Sequence, residues 1–338
     1  MNKAVSDIIQ IDSSLVTPVY KQIVQSIIRN IESGALTRDD TLPSVNKIAE
    51  EFSLARGSVF TAYNDLRASG IIDSVPGKGY YISSTETKQN KRIFVLFNSF
   101  SFYKETLYQA LVSNLPKAYT IDVFFYNNSL QLFETQIRQH AGHYNLFIIT
   151  PLVNENTPVI LSHLDPKSVL MLETGYKEYK KYFAGVFQNS EKDIYSLLVS
   201  SGEALSKYKR LILIVPNNPF AKDIIAGFNK FSKKATSTAG IRTTVNTGDI
   251  KEGDAYIVTE DNDLVTIVKY CNLQKWKLGK EIGVISYNES NLKSIIADGI
   301  TTFSIDYEAM GKAIAEMITS RRRGTMENTC IMIDRKSF

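Results

Sequence analysis

The stretch LPSVNKIAEEFSLARGSVFTAYNDLRASGIIDSVPGKGYYI, residues 42–82, decides the reading of the N-terminal part of the chain. Ser44 stands before a short run with Val45, Ile48, Ala49 and Phe52 on one helical face, and a serine at that place is a natural helix cap. After the turn Ser53-Leu54-Ala55 a second helix is predicted, with Val59, Tyr63 and Leu66 turned inward and an end at Gly70. Ile71-Ile72 and Tyr80-Tyr81-Ile82 flank Pro76-Gly77-Lys78-Gly79, which predicts a two-stranded hairpin with a glycine-rich tip. Upstream, Thr17-Pro18 reads as a helix start, capped by the threonine hydroxyl with proline in the first turn. Tyr20, Ile23, Val24, Ile27 and Ile31 then recur at helical spacing as far as Ser33-Gly34. Three helices followed by a hairpin make a winged helix-turn-helix, whose third helix enters the major groove of DNA.

That geometry assigns candidate contacts. The outward face of the third helix carries Arg56, Gly57, Phe60, Thr61 and Asn64. Arg56, at the helix start, is placed to reach a guanine edge or a phosphate. Ser44 and Ser58 lie at helix starts, where hydroxyls and backbone N–H groups anchor phosphates. Lys78, between two glycines at the hairpin tip, is free to enter a minor groove, and Phe60 faces a thymine methyl. Bulk charge gives no help: residues 1–85 hold 8 Lys and Arg against 9 Asp and Glu, and the whole chain carries a net +4. Without further information a protein-docking module of the same shape is an equal reading.

The same residues resemble the DNA-binding head of the GntR family. They follow its order of LPS, a short apolar helix, an arginine opening the next helix, A-Y-x-x-L, G-x-I and G-x-G-x-Y, and PVYKQI at 18–23 resembles its first helix. Two positions depart from the pattern. Asn46 stands where the family often has arginine, and Gly57 where it usually has threonine. Both bear on which operator is read.

Outward from the head, SSTETKQNK at 83–91 is polar and without apolar period, and it reads as a linker. The expected division is therefore 1–83 for the head, 84–91 for the linker and 92–338 for a body. Along the body, apolar runs alternate with helical patterns: RIFVLFN, TIDVFFY, YNLFIIT, SVLMLET, RLILIVP, DAYIVTE, EIGVISY and ITTFSI. Such alternation predicts an α/β fold with mostly parallel sheets, and about eight strands suit two lobes better than one small sheet.

The body resembles the LacI/GalR-type effector domain, which is periplasmic-binding-protein-like. PNNPFAKDIIAGFNKF, DAYIVTEDND with VISYNES, and ITTFSIDYEAMGKAIAEMI carry the likeness in order. A GntR head on this body resembles the architecture of arabinose repressors. The resemblance implies two lobes linked by three crossovers, with a small-molecule effector held at the C-terminal strand ends. Matched by position, the effector candidates are Asn98, Ser99, Phe100, Phe102, Tyr103, Glu173, Asn189, Lys222, Asp223, Glu260, Asp261, Asn288 and Asp306. Carboxylates and amides suit paired sugar hydroxyls, and aromatic rings suit the apolar face of a pyranose. The aromatics near the first strand point to a pentose or 6-deoxyhexose. Glu260 replaces an asparagine of the family pattern, and Ile224 stands where an arginine is common, with Lys222 and Asp223 as nearby substitutes.

Other classes find little support. The chain has no G-x-G-x-x-G, no Walker A loop, no G-x-S-x-G and no H-E-x-x-H. No cofactor or metal is implied: His140 and His143 read better as a surface pair, and Arg321–Arg323 as the solvated end of a helix. Two cysteines, no signal peptide and no apolar run of membrane length make the expected location the cytoplasm. The expected partners are a double-stranded operator, a monosaccharide and a second copy of the chain, since one head reads too few base pairs. A sugar-sensing adaptor or an enzyme on the same body, without operator binding, is the alternative.

Overall fold

In the computed structural model, residues 4–77, 79–86, 91–217, 221–234 and 238–338 are described. The head runs α1 (Val5–Ile8), α2 (Val19–Glu32), α3 (Val45–Glu51), α4 (Arg56–Ala68), β1 (Ile72–Val75) and β2 (Gly79–Ile82). Ser44 caps α3 by accepting the Lys47 N–H at 3.2 Å. Val59, Tyr63 and Leu66 are fully buried, as their spacing requires, and Ala62 joins them. Gly70 takes φ +70°, the left-handed turn that stops α4 and sends the chain into the hairpin. β1 and β2 pair antiparallel from Ile72–Ile82 to Val75–Gly79. Thr41 bridges to Tyr81, so the wing has a third, short edge.

Tyr63 ties these parts together. Its ring meets Tyr80 of the wing edge-on, with centroids 4.6 Å apart, and its hydroxyl donates to the Pro43 carbonyl at 2.7 Å. One side chain of α4 thus contacts both the wing and the lead-in to α3.

Two features of the head differ from expectation. Pro18, not Thr17, occupies the cap position of α2, and no side chain caps the helix. Thr17 is buried and gives its carbonyl to Gln22 Nε2 at 2.8 Å. The arm before α2 is also part of the core: Val5, Ile8 and Ile9 pack with Ile23, Ile27 and Ile31. Buried polar groups hold it there, with Gln22 Oε1 accepting from Asp12 N at 2.9 Å and Asn30 donating to the Ile8 carbonyl at 3.0 Å.

The body follows as β3 (Lys91–Phe97), α5 (Phe102–Ser113), β4 (Tyr119–Phe125), α6 (Leu130–His140), β5 (Leu146–Ile149), α7 (Thr157–Leu161), β6 (Val169–Glu173), α8 (Tyr176–Tyr179), β7 (Ala184–Phe187), α9 (Ser190–Ser200), α10 (Gly202–Leu205), β8 (Arg210–Ile214), α11 (Ala221–Ser232), β9 (Thr238–Arg242), β10 (Asp254–Val258), α12 (Asp261–Gln274), β11 (Gly283–Tyr287), β12 (Thr301–Ile305), α13 (Tyr307–Thr319), β13 (Thr325–Glu327) and β14 (Cys330–Ile333). All eight strands read from apolar runs are present. β3 begins at Lys91, inside the stretch read as linker.

Two compact units result: Met1–Ser99 with Pro116–Ile149 and Asn154–Val169, and Phe100–Leu115 with Thr150–Val153 and Leu170–Phe338. They cut across the division at 83 and 92, because the head groups with the first strands of the body. In the first unit β3 pairs in parallel with β4 and with β5. His140 packs there against the rings of Phe94, Phe124 and Tyr144, and burial lowers its pKa. In the second unit β7 pairs in parallel with β6 and β13. The order β14-β12-β11-β10-β8-β9 forms its large sheet, parallel except for β14. The fold is mixed α/β with parallel sheets and a winged helix at the N-terminus. Among the described residues no helix is long and apolar enough to cross a membrane.

Tyr63→Phe keeps the ring and strands the Pro43 carbonyl. It should cost the head about 1 kcal/mol in urea unfolding, and an unchanged midpoint would remove the hydroxyl from the account.

Candidate functional site

On the head, burial separates the two faces of α4. Arg56, Gly57, Phe60, Thr61 and Asn64 are exposed and Ser58 is half-buried. Phe60 is 52 % exposed, which nothing in the head's own packing explains. A Cβ at Gly57 would meet nothing within 4 Å, so the helix surface there is open to close approach. Thr61 donates to the Gly57 carbonyl at 2.9 Å, leaving its methyl and lone pairs outward. Ala55 precedes the helix and supplies no side-chain cap to the first N–H groups of α4. Ser44 and Asn46 are exposed at the start of α3. Lys78 lies outside the described residues.

The second unit gathers a different set at the C-terminal ends of its strands. Glu173 closes β6 with φ +65°, and Asn288 follows β11 with φ +61°. Left-handed backbone at non-glycine residues is costly, and here β-type bonds hold it: Gln188 N donates to Glu173 O at 2.6 Å and Asn288 N to Phe303 O at 2.7 Å. Glu173 is 6 % exposed and forms an ion pair with the equally buried Lys104, while Thr150 Oγ1 donates to the same carboxylate at 3.0 Å. Burial pulls the Lys104 ammonium below its ordinary pKa, and Glu173 opposes that shift.

A second buried lysine lies in the same unit. Lys293, 2 % exposed, donates to Asp261 Oδ1 at 2.9 Å, to the carbonyls of Asn288 at 2.8 Å and Tyr287 at 3.0 Å, and to Tyr103 Oη at 3.5 Å. Tyr103 stacks on Tyr307 with centroids 5.6 Å apart and planes 17° apart. Burial raises both phenols, with Asp261 and Glu260 acting further on Tyr103. Glu260 heads α12 without capping it, and partial burial together with Asp261 and Asp263 raises its carboxyl. Asn288 Oδ1 is buried without a hydrogen-bond partner among the described residues. Beside the tyrosine pair lies a cavity of about 440 Å³, lined among others by Phe102, Glu289, Ser304 and Asp306, a volume that suits a small ligand.

The structure thus brings Tyr103, Glu173, Glu260, Asp261 and Asn288 into one electrostatic neighbourhood, with Phe102 beside it and Phe100 79 % exposed. Asn98 and Ser99 are half-buried in the first unit, and Asn98 Oδ1 has no hydrogen-bond partner among the described residues. Three other candidates are engaged differently. Asn189 caps α9 through Lys192 N at 3.4 Å, Asp306 caps α13 through Ala309 N at 2.8 Å, and Asp223 pairs with Lys177 at 3.0 Å. Lys222 is exposed beside Asp223. Lys104, Lys293 and Tyr307 escaped the sequence reading. For Lys104 a signal existed, since it shares a helical stripe with Leu107 and Leu111. Among the described residues no group of three or more His, Cys, Asp or Glu could hold a metal ion.

Behind this cluster a polar chain joins β7, α9 and the segment before β14. Asn328 donates to Gln188 Oε1 and to the Asp306 carbonyl, each at 3.2 Å, and Gln188 donates in turn to Asp193. Burial raises the Asp193 carboxyl to about 6, against the Gln188 hydrogen bond.

Comparison with known proteins divides along the same lines. The model for bacterial regulatory proteins of the gntR family matches residues 19–82, and the model for a periplasmic binding protein-like domain matches 209–333. The chain is 33 % identical over 104 residues to the HTH-type transcriptional repressor YtrA of Bacillus subtilis (strain 168), covering 31 % of this chain and 76 % of that protein. Among solved structures, a dimeric Lac repressor lacking 11 C-terminal residues superposes with a TM-score of 0.61 at 16 % identity, over 73 % of this chain and 98 % of that one. A periplasmic binding protein/LacI transcriptional regulator from Alkaliphilus metalliredigens, complexed with D-xylulofuranose, gives 0.58 at 13 % identity, over 73 % and 98 %. At such identities these two structures speak for the fold.

Two measurements test the local chemistry. Lys104→Met leaves Glu173 buried and unpaired and should destabilise by about 3–5 kcal/mol, most of it recovered in Lys104→Met with Glu173→Gln; additive losses would mean the pair is not coupled. The folded pKa of Asp193 lies above the ordinary 3.8, so its stabilising contribution is complete below that value and is lost as pH rises through about 6. Asp193→Asn should therefore melt higher than the parent at pH 8 and equal it near pH 4, and a pH-independent difference would contradict the assignment.

Proposed function

The chain belongs to the GntR family of bacterial regulatory proteins, and we propose that it is a repressor whose operator affinity answers to a small sugar. The DNA-binding half of this reading is carried by one observation: α4 buries Val59, Ala62, Tyr63 and Leu66 and leaves Arg56, Gly57, Phe60, Thr61 and Asn64 exposed. A helix in the major groove needs that division of faces. Arg56 and Asn64 supply base-edge donors and acceptors, Phe60 an apolar contact for a thymine methyl, and the uncapped N–H groups of α4 with Ser44 and Ser58 hold phosphates. Lys78 supplies a cation at the wing. Asn46 and Gly57 set the departure from the family's usual operator.

The effector half rests on the second unit. Glu173, Glu260, Asp261 and Asn288 offer acceptors for hydroxyl pairs, Lys104 and Lys293 fix those acceptors, and Tyr103 with Tyr307 offers an aromatic face. Asn98, Ser99, Phe100, Phe102 and Lys222 are further candidates, Asp306 lines the cavity while capping α13, and Asn189 and Asp223 act more remotely through the partners they already hold. Both lysines already donate to protein oxygens, those of Glu173 for Lys104 and of Asp261, Asn288, Tyr287 and Tyr103 for Lys293, so the ligand we favour is a neutral polyol, a pentose or 6-deoxyhexose. The sugar bound by the Alkaliphilus protein, D-xylulofuranose, belongs to the same chemical class. Two copies of the chain on a palindromic operator would read two half-sites, and the dimeric Lac repressor offers a precedent for that assembly. Sugar binding then releases DNA, and by linkage DNA weakens sugar binding by the same factor.

Gel-shift titrations of the full chain test both halves. Arg56→Ala should remove specific binding, whereas Lys78→Ala should weaken all sequences alike and lower the salt slope by about one. A monosaccharide that raises the melting temperature should lower operator affinity by at least several-fold. No operator binding at moderate salt would favour a sensor or adaptor without DNA, and a sugar that binds without effect on the operator would sink the regulatory reading.

A further inference from the structure

The face of α2 that does not enter the head core is not solvent-facing. Gln22, Gln25, Arg29 and Glu32 recur at helical spacing (i, i+3, i+7, i+10) beside the core stripe Ile23, Ile27 and Ile31. Arg29 Nη1 donates to Asp165 Oδ2 at 2.7 Å, and Glu32 pairs with Lys91 at 3.0 Å. Asp165 is oriented for this contact, because its other oxygen accepts Lys167 N at 2.9 Å and caps the turn Pro166–Ser168. Gly142 abuts the end of the arm: a Cβ there would lie 2.9 Å from Pro18 Cδ and 3.2 Å from Thr17 Cα. Between these contacts a cavity of about 180 Å³ is walled by Gln10, Asp12, Gln25 and Arg29 on one side and Tyr144 and Asp165 on the other. All of these residues belong to the first unit.

We propose that the winged helix is docked on the face of the first unit formed by residues 142–147 and 164–168, through α2 and the arm, with Arg29–Asp165 as the clasp, and is not held by the linker alone. The contact mixes polar groups with the apolar side chains of Ile11, Leu15, Phe147 and Leu164, and its ion pairs are part-exposed, with side chains 41 % and 26 % accessible at Arg29 and Asp165. It is a reversible dock that salt loosens and no permanent core. Nor does it inhibit: the DNA-reading face of α4 remains exposed while α2 is engaged. Docking instead gives α4 a fixed orientation on the first unit. Any displacement of that unit then moves the recognition helix directly.

Time-resolved fluorescence anisotropy of the full chain, with a dye on Glu50→Cys in a Cys330→Ser background, tests this without DNA or sugar. The docked head should show only the slow tumbling of the whole molecule. Arg29→Glu, which sets two carboxylates against each other, should add a fast nanosecond component, and Arg29→Lys should not. Asp165→Asn keeps the turn cap and should release the head from the opposite side. A circular-dichroism melt checks that each variant remains folded. A fast component already present in the parent, or its absence in both Arg29→Glu and Asp165→Asn, would overturn the proposal.

Discussion

A parallel pair of strands cannot be closed by a tight turn, and most of the body follows from that constraint. Each strand must hand the chain to a crossover helix at its C-terminal end, so loops and helix starts collect along one edge of each sheet. Glu173 ends β6, Glu260 follows β10, Asn288 follows β11 and Asp306 follows β12, all in the second unit. Glu260, Asn288 and Asp306, far apart in sequence, therefore share one edge of the large sheet because of hydrogen-bond geometry, while Glu173 ends a strand of the other sheet. The cost of assembling them appears locally, as left-handed backbone at Glu173 and Asn288 and as two lysines taken out of water.

The head obeys a different economy. It has few residues and must hold three helices and a hairpin around one small core, so single side chains carry several contacts. Tyr63 serves α4, the wing and the lead-in to α3 at once. The arm adds Val5, Ile8 and Ile9 to that core, which enlarges it without lengthening any helix. The polar stripe of α2 is then left over from core formation and meets the body.

Legibility in the sequence tracks how much of an element is buried. Strands β3, β5, β6, β8 and β10 are apolar over four or more residues and stand out, as does the Val59, Tyr63, Leu66 spacing. The edge strand β9, TAGIR, has half-exposed and exposed residues, and β7 is only AGVF, so neither carries a period that can be read. Thr17-Pro18 reads as a cap because both residue types favour helix starts, yet the helix begins one residue later and the threonine serves Gln22 instead. Among the candidate site residues, those at strand ends were named from the order of motifs. Lys104 offered only its stripe with Leu107 and Leu111, and Lys293 offered no signal, because a lysine is ordinarily a surface residue and tertiary partners decide that these two are buried.

The arm also has a practical consequence for dissecting the protein. The matched family region begins at Val19, and a fragment cut there would look complete by homology. It would nonetheless expose the surface of Ile23, Ile27 and Ile31 that Val5, Ile8 and Ile9 cover, would take from the Gln22 amide its partners Asp12 and Thr17, and would cost Asn30 its bond to the Ile8 carbonyl. The foldable unit is therefore larger than the recognisable one, and an isolated head should be excised with its leading residues intact.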